Sequence, residues 1–136
     1  MLYDVSYRDD NITRAINLKV GKPFSIWRRF KLKGIGSRRM VIHKISTSHK
    51  EKLHGFQDTI YSIIELRPKG IIVYINNGLQ TLAWVVPFHL LTIQKARFIS
   101  FHAEGQFIQY KSSYANIKSF VDKVFKMRYE ALRAAS

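Results

Sequence analysis

Apolar positions in this chain recur at two different periods. From Thr59 to Lys111 they form short β-type runs separated by turn residues, and from Ile117 onward they recur at helical spacing. Thr59–Leu66, Ile71–Ile75 and Leu79–Val86 read as strands. Arg67-Pro68-Lys69-Gly70 between the first two is a turn with Pro and Gly in suitable places. Asn76-Asn77-Gly78 is the strongest hairpin signal, because Asn-Gly supplies the positive φ angles of a type I′ turn. Pro87 ends the returning strand or marks a bulge. Leu91–Lys95 and Arg97–His102 are further short strands, and Glu104-Gly105 turns the chain into Gln106–Lys111. Ile117, Phe120, Val121, Val124 and Phe125 fall at i, i+3, i+4, i+7 and i+8, one face of a helix predicted over residues 114–133 with Ser113 as its N-cap.

The N-terminal third carries a weaker pattern. Residues 1–11 are polar and read as an irregular tail. Ile12–Val20 fits a short helix or a strand, and Gly21-Lys22-Pro23 breaks it. Phe24–Lys33 reads as a strand, because Arg29-Phe30-Lys31-Leu32-Lys33 alternates charged and apolar residues. On a strand that places three cations on one face and two apolar side chains on the other. Gly34-Ile35-Gly36-Ser37 is a turn, Arg38–Ile45 a second strand, and Ser46–Gln57 a long polar connection. The whole chain is expected to form one domain, 1–136. Its fold class is mainly β, a bent antiparallel sheet or partly open barrel, with a C-terminal helix across the apolar face that strands alone would leave open.

That order is similar to the pleckstrin-homology (PH-like) superfold, a bent seven-strand antiparallel sheet capped by a C-terminal helix. The resemblance is carried by Thr59–Ile75, the Asn77-Gly78 hairpin, Leu79–Phe88 and the helix from Ile117, roughly Thr59 to Leu132. Trp84…Pro87-Phe88 resembles the W-x-[IV]-P-[YF] segment of small bacterial PH-like proteins, most of them functionally uncharacterised. The family's phosphoinositide pattern, a lysine followed by a basic-x-Arg on the next strand, has no match, so no site residue transfers from it.

Charge narrows the choice of partner. The 136 residues carry 23 Lys and Arg against 9 Asp and Glu, a formal net charge of +14. Nine of the cations lie between Arg28 and Lys52, where Glu51 is the one acid. A row of like charges repels itself, and the benefit that offsets this is an anionic partner: a lipid headgroup, an acidic protein or nucleic acid. The candidate anion site is Arg28, Arg29, Lys31, Lys33, Arg38 and Arg39 around the Gly34–Ser37 turn, whose glycines would leave backbone N–H groups open to an anion. Arg suits phosphate because its fork is bidentate. Trp27, beside Arg28 and Arg29, is the candidate exposed aromatic for stacking or for a membrane interface. An anionic membrane surface or acidic protein is the favoured partner, with nucleic acid as the alternative.

The remaining chemistry is sparse. There is no cysteine, which excludes disulfides, thiolate catalysis and Cys-based zinc sites and leaves cytoplasm the default compartment, peripheral to a membrane if the basic face binds lipid. His49 and His54 are spaced as a loop pair but have no acid or third histidine near in sequence, so no metal site is assigned. No Gly-x-Ser-x-Gly occurs, and Gly34-Ile35-Gly36-Ser37 lacks the third glycine of a dinucleotide fingerprint. The expectation is a binding module without a cofactor, with an enzyme as the minority view.

Overall fold

The computed structural model describes residues 1–55 and 59–135, so the end of the predicted 46–57 connection lies outside the described residues. The chain runs β1 (Leu2–Asp4), α1 (Asp10–Val20), α2 (Ile26–Lys31), β2 (Met40–Ile45), α3 (Thr47–Lys50), β3 (Tyr61–Arg67), β4 (Gly70–Asn77), β5 (Gln80–Pro87), β6 (Thr92–Lys95), β7 (Ile99–Ala103), β8 (Gln106–Tyr110) and α4 (Lys118–Ala135). The strands form one antiparallel sheet in the order β1-β5-β4-β3-β2-β8-β7-β6, with β1 and β6 at unpaired edges, so it does not close. β2 makes the bend. Met40 and Val41 pair with β3, the register shifts at His43, and Ile42 to Ile45 pair with β8.

The main core fills the inside of this bend. Ile64, Leu66, Trp84, Phe88, Phe101, Ile108 and Tyr110 are buried there under Ile117, in the turn that enters α4, and under Phe120, Val121 and Val124 of α4. Burying each of those helix side chains contributes about 1.5–3 kcal/mol, which is why this face docks. A second, smaller core lies on the other face of β4 and β5. Ile16 and Val20 of α1 pack there on Ile72, Ala83 and Val85. The middle of these two strands is therefore covered on both faces, which accounts for the unbroken apolar runs Ile71–Val73 and Leu82–Val86.

α1 resolves the helix-or-strand alternative at 12–20. The Asp9 carboxylate accepts from the N–H groups of Asn11 (2.9 Å) and Ile12 (3.4 Å), and Gly21 ends the helix at φ 87°. Arg67 locks it to the sheet. This side chain, 7% exposed, donates to Glu65 at 2.5 Å, to Asn17 Oδ1 at 3.0 Å and to the Gly21 carbonyl at 2.9 Å.

Four local readings change. The 1–11 tail is not wholly irregular: Leu2, Tyr3 and Asp4 pair with Trp84, Ala83 and Leu82, because the open edge of β5 takes a partner too short to show a period. Phe24–Lys33 is not a strand. Ser25 Oγ accepts from the Arg28 N–H at 3.2 Å and nucleates α2. Lys33 in the left-handed region (φ 59°) then closes it, with its N–H on the Phe30 carbonyl and that of Gly34 on the Arg29 carbonyl. The β4–β5 turn is Gly78-Leu79, with Asn77 paired to Gln80. Only Gly78 has positive φ (67°), the Gly-first pattern of a type II′ turn. Ser113 makes no side-chain cap, and α4 is entered from a 3₁₀ turn at Tyr114–Ile117.

Candidate functional site

All six cations of the candidate anion site are exposed. α2 and the turn after it carry them past α4, and two adjoining clefts open along that seam. The larger, about 620 Å³, is lined by Lys33, Gly36 and Arg38 on one side and by residues 115–120 and Lys123 on the other. The second, about 360 Å³, is lined by Arg28, Lys31, Leu32 and Lys33 against Lys123, Lys126, Met127 and Glu130. Lys33 and Lys123 belong to both. Counting Lys118, seven cations and one acid, Glu130, border the pair.

The seam is held shut at its centre. Lys123 Nζ donates to the carbonyls of Lys33 (2.9 Å) and Gly34 (3.2 Å), which ties the loop after α2 to α4. Leu32 and Ile35 pack on the main core beneath it. Lys33 occupies a left-handed position where glycine is the low-cost residue. At the far end, Asp122 accepts from Lys118 Nζ (2.7 Å) and from the Tyr114 hydroxyl (2.5 Å). The hydrogen bond from Lys118 holds the Asp122 carboxyl below the usual carboxylate range, and the same bond raises the Lys118 ammonium. Lys118 therefore enters the larger cleft as a charge already shared with an acid.

Four of the six predicted residues, Arg28, Lys31, Lys33 and Arg38, border these clefts; two do not. Arg29 Nε turns back to the Phe24 carbonyl (3.1 Å), and the Arg39 guanidinium lies 3.6 Å over the Tyr61 ring. The expected backbone cradle is not formed as read. The Gly34 N–H is spent on Arg29, Gly36 bridges Glu65, and the Ser37 N–H bonds the Ile64 carbonyl, so the turn extends the sheet beside β3. Missed in the sequence were Lys118, Lys123 and Lys126, whose spacing reads only as the solvated side of a helix. Trp27 is 75% exposed, and α2 exposes Ile26 (85%) and Phe30 (78%) beside it.

Several polar groups outside these clefts are engaged structurally. In the cavity between α1 and the sheet, the Tyr74 hydroxyl donates to Glu65 at 3.1 Å. Burial, with Glu65 beside it, pushes that phenol up to about 12. Ser100 Oγ lies 2.8 Å from His102 Nε2, a hydroxyl–base pair, but Ser100 is buried and neither residue borders the clefts described above. His49 is buried and His54 exposed, and among the described residues no three His, Asp or Glu side chains converge as metal ligands. No helix among the described residues is long and apolar enough to cross a membrane.

Architecture defines the class: an open, bent antiparallel sheet with a C-terminal helix packed across it. Compared with protein families, curated proteins and solved structures, the chain has no significant match.

Proposed function

We propose that this chain is a non-enzymatic binding module that uses the face between α2 and α4 to engage an anionic partner, a lipid headgroup or an acidic protein surface. One observation carries the reading. Cations distant in sequence, Arg28, Lys31, Lys33 and Arg38 on one wall and Lys123 and Lys126 on the other, border two clefts that share Lys33 and Lys123. Such a concentration of one sign costs self-repulsion, which an anionic ligand offsets. A lysine at the left-handed position 33, where glycine is easier, fits a residue kept for its charge. The PH-like resemblance belongs to the same reading, in which a small cytoplasmic module of bacterial type docks peripherally on its target.

The test is co-sedimentation with vesicles with and without anionic lipid, beside an acidic polypeptide and a mobility shift on duplex, all at physiological salt. Wild type should bind at least one of these anions. Replacing Arg28, Lys31, Lys33, Arg38, Lys123 and Lys126 with Gln should abolish that binding. On duplex the slope of log affinity against log salt would be about −0.9 per phosphate neutralised. Binding of no anion, or equal binding by the six-fold variant, would sink the reading.

A further inference from the structure

Ile26, Trp27 and Phe30 need an explanation that the clefts do not supply. They are among the most exposed large apolar side chains of the protein, at 85%, 75% and 78%, and they line none of the clefts described above. At about 100° per residue, these three positions of α2 fall within about 100° of arc. Arg29 and Lys31 flank that arc. The opposite side of α2 faces the body of the protein, where Arg28 borders the cleft beside α4 and Leu32 packs on the core. Helix α2 is thus anchored by its back and presents an apolar stripe with a cation on either edge. Pro23 and the Ser25 cap before it, and the Lys33–Gly34 closure after it, fix its direction.

We propose that α2 is an interfacial anchor that inserts Ile26, Trp27 and Phe30 into an anionic lipid bilayer while Arg29 and Lys31, one on each edge of the stripe, engage the headgroups. This rests on the basic-face reading above and names its partner. Charge selects the occupant. A second copy of this chain would bring a net charge of +14 against another +14, with cations ringing both patches. An anionic membrane matches the apolar centre and the cationic rim at once. Trp at the headgroup boundary, beside long basic side chains, is the pairing that interfacial helices use.

The protein carries its own reporter. Of its two tryptophans, Trp84 is 2% exposed in the core and cannot reach lipid, so a change of emission on binding belongs to Trp27. Phosphatidylcholine vesicles containing phosphatidylserine should shift the emission of the wild-type chain to the blue, and bromine-labelled acyl chains should quench it. Vesicles of phosphatidylcholine alone should do neither. Trp27→Leu should bind and give no shift. Ile26→Ser/Phe30→Ser keeps every cation and alters only exposed positions, so its thermal midpoint should match wild type. Its partitioning should fall about a hundredfold or more, the effect expected from losing two buried apolar side chains.

Binding to anionic vesicles with unchanged emission, and equal binding by the double variant, would overturn insertion and leave the basic-face reading standing. Binding to duplex or to an acidic polypeptide but not to vesicles would overturn the bilayer as partner. Binding to none of them would overturn both.

Discussion

His49 sits where a charge is hard to hold, and that makes the stability of the fold depend on pH. It lies in α3, which Ser46 pins to β8 through paired bonds with Phe107. The residue is 5% exposed, its ring meets Trp84 edge-on at 4.7 Å, and its Nε2 has no hydrogen-bond partner among the described residues. Burial disfavours the imidazolium and lowers the pKa from 6.5 to about 4. Above pH 6.5 the ring is neutral in both folded and unfolded chains, and the native state keeps its full stability. Between pH 6.5 and about 4 the unfolded chain takes up a proton that the folded chain refuses, so stability falls as pH falls. At about 1.4 kcal/mol per pH unit the loss reaches up to about 3 kcal/mol at pH 4.

The perturbation is His49→Leu, which keeps the volume and removes the titrating group and the unpartnered nitrogen. Urea unfolding at steps from pH 7.5 to 4.5 should find the variant as stable as wild type or more so at pH 7.5, since an unpartnered buried polar atom costs about 1–3 kcal/mol. The gap should then widen on acidification, by up to about 2–3 kcal/mol at pH 4.5. His89→Gln, at an exposed position, should track wild type throughout. If wild type and His49→Leu lose stability in parallel over that range, His49 is not held neutral and the reasoning is wrong.

The other expectations concern how the layers are held. Arg67→Met strands Glu65 and removes both bonds to the end of α1. A loss of about 2–4 kcal/mol in urea is expected, with faster proteolysis between residues 10 and 21; an unchanged cleavage pattern would mean that the second core holds α1 alone. Gly70→Ala would put a Cβ 2.3 Å from the Val86 carbonyl and 2.6 Å from Val20, so a loss of about 2–3 kcal/mol or more is expected in thermal unfolding, and a neutral result would contradict that close approach. Deleting residues 117–136 strips the main core of its cover. The truncated chain should aggregate in size-exclusion chromatography, and a monomer with an unchanged thermal midpoint would refute the role of α4.

What could be read from the sequence follows from where the physics is local. Tyr61 to Tyr110 was legible because each strand is bounded by its own turn signal. The Gly78 hairpin was still placed one residue off, since either Asn77-Gly78 or Gly78-Leu79 offers a residue for positive φ. The helix at 118–135 was legible because a single face is buried, and that leaves a clean period. The stretch 24–33 misled because five alternating residues fit a strand as well as the flank of a short helix. The deciding facts were the Ser25 cap, the Lys33–Gly34 closure and the packing of Leu32, and the last of these is tertiary.

The sign of the candidate site was legible in the chain, because charge travels with residue identity whatever the fold. The site's walls were not. Lys123 reaches carbonyls 90 and 89 residues earlier in the chain, and that contact exists only once the apolar face of α4 has docked on the sheet and turned its lysines toward α2. The exposure of Ile26, Trp27 and Phe30 was decided the same way. Composition gives aromatics to the core, and only the direction in which a six-residue helix leaves that core puts these three in water.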